Sequence, residues 1–331
     1  MLIKKKLAKS ALLNILREYD LGKIGKIKSV PTSGNITFLI TTASGKYILR
    51  LCPEGERWRS RKEILAELEL IDYLNKHNFP VPQPVNKKNG ETTIEYKNKF
   101  GYLRQYDSGK EILKPNPEQV GQFGEILGWF HSLIEGYQTK HPREHFWDLQ
   151  TTQKNFLEVK EDISKSNFPQ AENFVNKLEK ELFDLSFPEK LPQGMIHEDL
   201  GKRHVLWQNN KISCLIDFDR CYYGQLVLDL GQAIRGWCFT DDWHKWSNQN
   251  LTALLKGYSQ KRELTDLEKK YLFKAVKFAV LERGLSFCLR YIGLTQMPSD
   301  EQFARRSISD TDLLDMIKRN RKEFEKISKQ N

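Results

Sequence analysis

The chain has 331 residues, a formal net charge of +10 and 39% hydrophobic residues beside 20 glycines. It is too long for one small core and suits two domains, or two lobes of one enzyme; its apolar share excludes a disordered chain. The basic balance fits an anionic partner, either nucleic acid or a phosphate-bearing small molecule, and the absence of any nucleic-acid-binding signature turns the expectation away from nucleic acid.

The five cysteines, Cys52, Cys214, Cys221, Cys238 and Cys288, are scattered and form no CxxC. That argues against a disulfide framework or a zinc knuckle and makes a cytoplasmic location the expectation. The opening "MLIKKKLAKSALLNILREYD" starts basic, but its apolar run is short and Arg17, Glu18 and Asp20 follow at once, so it reads as an amphipathic helix and not as a signal peptide. No run of apolar residues is long enough to span a membrane.

Residues 22–51 read as strands, with Ala43-Ser44-Gly45 turning a hairpin. The strand "YILRL" alternates, placing Ile48 and Arg50 on one face. Residues 58–77 read as a helix on the spacing of Ile64, Leu68, Ile71 and Leu74. Glu67 falls inside that apolar arc, Glu63 at its edge, and Glu69 away from it; a carboxylate on a buried face needs a partner. "HNFPVPQPV" breaks the helix. Two strands follow, "TTIEYKN" and "KFGYLRQYD", then a linker, "SGKEILKPNP". Pro117 opens a long helix marked by Val120, Phe123, Leu127, Phe130 and Ile134. Residues 148–186 read as helical, 194–229 as short strands and loops, and the chain from Leu230 onward as helical again, ending in a basic, solvated helix end. The organisation expected is a strand-rich region over residues 1–105 and a helical one over 106–331.

The chemistry gathers in residues 195–219. "MIHEDLGKRHVLW" carries His197, Glu198, Asp199 and His204, and "LIDFDR" places Asp217 and Asp219 at the end of an apolar strand. Transfer of a phosphoryl group needs a base to orient the attacking hydroxyl and acids to hold Mg²⁺. Asp199 fits the first role; Asp217 fits the second, with Asp219 in the same turn, because Mg²⁺ takes hard oxygen ligands. Read separately, His197 and His131 are packed, structural histidines, and Trp207, Trp237, Trp243 and Trp246 are core or rim residues before they are an aromatic cage.

"HEDLGKRHVLW" followed by "SCLIDFDR" resembles the protein-kinase pattern H-R-D-x-x-x-x-N followed by D-F-G. It is more similar to the small-molecule kinases of the aminoglycoside phosphotransferase and choline kinase superfamily, which includes type II homoserine kinases. "GKYILRL", "FGEILGWFHSL" and "LVLDLGQAI" resemble further segments of that family, and "VPTSGNITFLI" resembles its nucleotide-covering loop weakly. The resemblance covers roughly residues 25–240. It implies an α+β, protein-kinase-like bilobal fold, with a small β-rich N-lobe, a larger helical C-lobe and ATP in the cleft. Arg50 would contact phosphates with Glu67 as its ion-pair partner, and adenine would meet the chain about Gln105, Tyr106 and Asp107. Asp229 would buttress the catalytic loop.

One position departs from the family: His204 stands where a metal-binding Asn is expected. An imidazole is a softer ligand than an amide oxygen. Three readings stand open: His204 ligates the metal and shifts preference from Mg²⁺ toward Mn²⁺; it stands aside while Asp217 and Asp219 hold the metal; or it marks lost activity. The function expected is an ATP-dependent phosphotransferase acting on a hydroxyl of a small molecule, such as an amino alcohol, aminoglycoside or homoserine-like acceptor. The rivals are a catalytically impaired pseudokinase and, more remotely, a metal-dependent hydrolase built on His197, Asp199, His204 and Asp217.

Overall fold

The structure is a computed structural model that describes residues 7–32, 35–52, 60–143, 146–240, 244–294, 301–308 and 312–330. The chain divides into two compact units. The first comprises Met1–Gly109, Thr139–His145 and Ser213–Asp219; the second comprises Lys110–Gln138, Phe146–Ile212 and Arg220–Asn331. The sequence suggested a single crossing at residues 105–106; the units are instead discontinuous, and two later segments belong to the first.

The first unit is built on an antiparallel five-stranded sheet. Its strands are β1 (Ile24–Val30), β2 (Ile36–Thr42), β3 (Lys46–Leu51), β4 (Thr93–Tyr96) and β5 (Lys99–Gln105), in the order β1-β2-β3-β5-β4. The β2–β3 hairpin turns where expected, with the Thr42 amide donating to the Gly45 carbonyl. β3 lies at the centre and is covered on both faces. Leu49 and Leu51 enter an apolar cluster with Leu12, Ile15 and Leu16 of the amphipathic helix α1 (Lys9–Arg17). Ile48 and Arg50 are buried on the other face. Helix α2 (Arg61–Lys76) is capped by Ser60, whose hydroxyl accepts from the Glu63 amide. It buries Ile64, Leu68, Ile71 and Leu74, together with both Glu63 and Glu67.

The second unit is largely helical. After β6 (Lys110–Glu111), α3 (Pro117–Ile134) opens with Pro117 and a reciprocal capping box between Asn116 and Gln119. The stretch 148–186 forms two helices, α4 (Leu149–Lys165) and α5 (Ala171–Phe183), parted at Gln170 in a left-handed conformation. β7 (Gln193–Ile196) leads into the loop bearing Asp199, and β8 (Val205–Gln208) pairs with β6. Asn209 and Asn210, at φ of 49° and 59°, turn β8 toward β9 (Lys211–Leu215). β10 (Tyr222–Gln225) pairs with β7. Helix α6 (Leu226–Cys238) begins earlier than the expected Leu230, so Asp229 lies in its first turn. The helices α7 (Asn248–Ser259), α8 (Asp266–Tyr291), α9 (Glu301–Ile308), α10 (Leu313–Arg319) and α11 (Arg321–Gln330) complete the unit.

The C-terminal segment corrects the sequence reading. It is not a solvated end: Phe324 and Ile327 of α11 are buried, and the Phe324 ring packs against Trp246 and Phe273. Its charges mask an amphipathic face. Trp207 and Trp237 are buried as expected, with Trp237 stacked on Phe123, while Trp243 lies outside the described residues. Among the described residues no helix is long and apolar enough to cross a membrane.

Close backbone packing sets the framework. α3 and α7 cross with glycines set against facing carbonyls: a Cβ on Gly124 would strike the Leu254 carbonyl, one on Gly128 the Tyr258 carbonyl, and one on Gly257 the Gly121 carbonyl. Gly101 of β5 is similarly tight, its missing Cβ facing the Arg50 carbonyl. Gly124→Ala and Gly101→Ala are each expected to lower stability by roughly 1–3 kcal/mol through overpacking, read as a lower midpoint in thermal melts. Gly121→Ala, on the same helix, is the control for added bulk, its missing Cβ in ordinary contact distance of the Ala253 carbonyl; equal stability of Gly124→Ala and the native chain would contradict this packing.

Candidate active site

In the first unit one guanidinium is shared three ways. Arg50 reaches Glu67 through Nη1 at 2.8 Å, and Asp219 and Asp217 through Nη2 at 2.8 and 3.5 Å. The register of the sheet puts Tyr102 of β5 opposite Arg50, and the Tyr102 hydroxyl donates to the same Glu67 oxygen at 2.8 Å. Glu67 is thus the carboxylate on the apolar arc with its required partners supplied by two neighbouring strands. Burial works against the charge of Arg50, but Glu67, Asp219, Tyr102 and Asp217 outweigh it and raise its pKa. Burial and the Glu67 carboxylate likewise drive the Tyr102 phenol well above its ordinary value.

Asp217 and Asp219 follow β9 in a tight turn. Asp217 holds φ at 74°, a costly conformation for a residue with a Cβ. It keeps about a third of its side chain exposed, whereas Asp219 is buried. Arg143, from the segment that returns to this unit, pairs with Glu63 and donates to the Asp219 carbonyl at 2.7 Å. That accounts for the second buried carboxylate of α2, a link the sequence reading missed because Arg143 lies far along the chain.

In the second unit, Asp199 sits on a loop held from beneath by Asp229. The Asp229 carboxylate, fully buried, accepts the His197 amide at 3.0 Å and the Glu198 amide at 2.7 Å. His131 Nε2 lies 3.1 Å from the same carboxylate and its Nδ1 2.9 Å from the Tyr258 hydroxyl. The Asp199 amide donates to His197 Nδ1 at 3.2 Å, and the Trp237 indole donates to the Leu200 carbonyl. His197 and His131 are therefore structural, as read from the sequence. His204 donates from Nδ1 to the Asp199 carbonyl.

The Asp199 carboxylate is ion-paired with Arg283 of α8 at 2.8 Å. Burial opposes its charge, but Arg283, His204, Arg220 and His197 outweigh that and hold the carboxyl well below the usual range. Beside it lies a buried network the sequence reading did not find. Glu198, at φ of 68°, is paired with Arg220 and accepts from Gln232 at 2.9 Å; Glu282 accepts from Arg220 at 2.8 Å. Burial pushes the Glu198 carboxyl up to about 8, while Arg220 and Arg283 keep that of Glu282 low. The signal was present: "LER" interrupts the apolar run of α8 at Glu282 and Arg283.

Gln105 and Tyr106, the expected adenine contacts, are exposed at the end of β5. Their amides are already engaged, with the Gln83 and Lys46 carbonyls respectively. Ser33 and Gly34 of the segment likened to a nucleotide-covering loop lie outside the described residues. Among the described residues no cluster of three or more His, Cys, Asp or Glu side chains is arranged to cage a metal. Mg²⁺ is ordinarily held by one or two carboxylates plus phosphate and water, and Asp217 and Asp219, converging on one guanidinium with one of them exposed, fit that mode. His204 could meet a metal only through Nε2.

A model of the phosphotransferase enzyme family matches residues 29–268. The chain belongs to that family. The homoserine kinase of Zymomonas mobilis is 29% identical over 277 residues, covering 82% of this chain and 81% of that one. The homoserine kinase of Caulobacter vibrioides is 27% identical over 265 residues, covering 78% and 79%. Among solved structures, an amicoumacin kinase in complex with AMP-PNP, Ca²⁺ and Ami aligns at a TM-score of 0.71 and 19% identity over 98% of this chain and 95% of that one. A microcompartment-associated aminopropanol kinase aligns at 0.68 and 17% over 96% and 99%. The fold is therefore α+β and protein-kinase-like, as the resemblance implied, and the chain is a small-molecule phosphotransferase with an alcohol group as acceptor.

Loss of the carboxylate that Arg50 and Tyr102 share should leave a buried cation without its main partner. Glu67→Ala is expected to cost about 3–5 kcal/mol, and Glu67→Gln less, because an amide oxygen still accepts from Tyr102. Thermal melts of both variants check this; an unchanged midpoint in Glu67→Ala would show that Asp217 and Asp219 alone satisfy Arg50.

Proposed function

We propose that the protein transfers the γ-phosphoryl group of ATP to a hydroxyl of a small acceptor of the amino-alcohol, aminoglycoside or homoserine type. The observation that carries this reading is Asp199: a partly exposed carboxylate with its charge held on by Arg283, on a loop whose backbone is fixed by Asp229. In phosphoryl transfer the attacking oxygen needs orientation more than early deprotonation, and a carboxylate held below its usual pKa is suited to accept a hydrogen bond and a weak base otherwise. The acceptor oxygen bonds to the γ-phosphorus as the bond to the bridging oxygen breaks; ADP leaves, and the hydroxyl proton passes to Asp199.

Asp217 and Asp219 would hold Mg²⁺, or Mn²⁺, whose charge would offset that of the phosphates. Arg50, fixed by Glu67, would hold those two carboxylates in position and meet the phosphates alongside them. Gln105 and Tyr106 would face the adenine through side chains, since their amides are engaged. His204 would support Asp199 through its carbonyl, the reading in which it stands aside from the metal. No observation favours the pseudokinase alternative.

Asp199→Asn is expected to lower kcat about 10²–10⁴-fold, measured as ADP release with a panel of hydroxyl acceptors under Mg²⁺ and Mn²⁺. Because the Asp199 pKa is depressed, its carboxylate stays ionised as pH falls through the ordinary Asp value near 4, so no acid limb from this group should appear above about that pH. The stabilising effect of its ion pair follows the same sign, present above the unfolded pKa and lost only on stronger acidification. A wild-type protein that releases no ADP with any acceptor and either metal would overturn the reading.

A further inference from the structure

The chain makes a detour between α3 and α4. Both helices belong to the second unit, yet the segment Thr139–His145 between them belongs to the first. That segment is anchored on α2. The Lys140 amide donates to Glu69 Oε2 at 2.8 Å, and Arg143 pairs through Nε with Glu63. Arg143 and Glu63 are both buried. A second edge of the same guanidinium is turned elsewhere: Nη2 donates to the Asp219 carbonyl at 2.7 Å.

Asp219 is therefore held at both of its polar ends. Its carboxylate meets Arg50 at 2.8 Å and its carbonyl meets Arg143. Both guanidiniums are tied to one face of α2, Arg50 by Glu67 and Arg143 by Glu63, about one turn apart. Asp217, in the same turn, is held more loosely, 3.5 Å from Arg50, and its backbone is left-handed. Such a backbone persists only where its surroundings over-determine it. The two arginines differ in what they leave available. Arg50 occupies carboxylate oxygens that a divalent cation would take, whereas Arg143 occupies a carbonyl and leaves those oxygens alone. A buried ion pair adds little stability over apolar residues of the same volume, so packing alone does not call for Arg143 and Glu63 at this place.

We propose that Arg143 is a positioning residue for the divalent cation. By tying the Asp219 carbonyl to α2 through Glu63, it keeps the carboxylates of Asp217 and Asp219 convergent while a cation competes with Arg50 for them. The role calls for an arginine, because one planar fork reaches a carboxylate and a carbonyl at once, and an ammonium is a single point charge. The proposal rests on the reading of Asp217 and Asp219 as the cation's ligands.

The test is calorimetry on the full chain, independent of turnover. The dissociation constant of AMP-PNP is measured in EDTA and again in saturating Mn²⁺, and the ratio of the two gives the coupling between cation and nucleotide. Arg143→Gln should reduce that ratio at least about tenfold, equivalent to about 1.4 kcal/mol, with the constant in EDTA unchanged. Glu63→Gln should act in the same direction, and Arg143→Lys should fall between Arg143→Gln and the native chain. Gly124→Ala, in the second unit, is the control for lost stability and should keep the native ratio. If Arg143→Gln does not fold, Arg143→Lys and Glu63→Gln decide by the same comparison. The proposal is overturned if the variants melt earlier but keep the native ratio, which would assign Arg143 to packing. Equal weakening in EDTA and in Mn²⁺ also overturns it, as does an equal loss of coupling in Gly124→Ala. A native chain whose affinity for AMP-PNP does not respond to Mn²⁺ is a distinct result: it overturns the reading of Asp217 and Asp219, and the proposal with it.

Discussion

One buried carboxylate determines where the reactive loop lies. Asp229 has no access to solvent, and its two oxygens are divided between the amides of His197 and Glu198 and the imidazole of His131. A charge in that position is tolerated only because each oxygen meets a donor. The loop cannot move without stripping donors from that acid, so the position of Asp199 depends on the desolvation of its neighbour as well as on its own pairing with Arg283. The left-handed backbone of Glu198 is the local cost of that arrangement.

The first unit solves an analogous problem in a different way. There the fixed point is a cation, Arg50, placed on the central strand of the sheet and surrounded by Glu67, Asp217 and Asp219. Carboxylates gathered round a guanidinium are preorganised without a metal, since the mutual repulsion of two aspartates is already relieved. The strained turn at Asp217 is held in part by that same guanidinium.

How much of this was legible in the sequence depended on how local the determinants were. Alternation made Arg50 and its strand readable, helical periodicity exposed Glu67 as a carboxylate in need of a partner, and Pro117 announced the start of α3. Asp199, Asp217 and Asp219 stood out because their spacing matches a chemistry. What escaped was non-local. Arg143 pairs with Glu63 across some eighty residues, and Arg283 reaches Asp199 across a similar span; nothing in a single sequence relates such positions. Glu282 and Arg283 could have been questioned as charges in an apolar helical run, by the same argument that picked out Glu67. The α11 segment was misjudged because its abundant charges hid the few apolar residues, Phe324 and Ile327, that carry its packing.

The glycine crossing of α3 and α7 has an effect well beyond packing density. Because carbonyls there meet missing side chains, Tyr258 of α7 is brought within hydrogen-bonding reach of His131 of α3. Arg262 donates to the Tyr258 oxygen at 2.9 Å, leaving its hydroxyl proton to point at His131 Nδ1; in the neutral imidazole Nε2 then carries the remaining proton, toward Asp229. The donors therefore run in a single direction, from a guanidinium paired with Glu268 through phenol and imidazole to the acid beneath the reactive loop. Such a chain has one permitted order of protons, and its members polarise one another in the same sense. The buried pair of Arg262 and Glu268 is in this way connected by hydrogen bonds to Asp229 and, through the amides that Asp229 accepts, to the loop that carries Asp199.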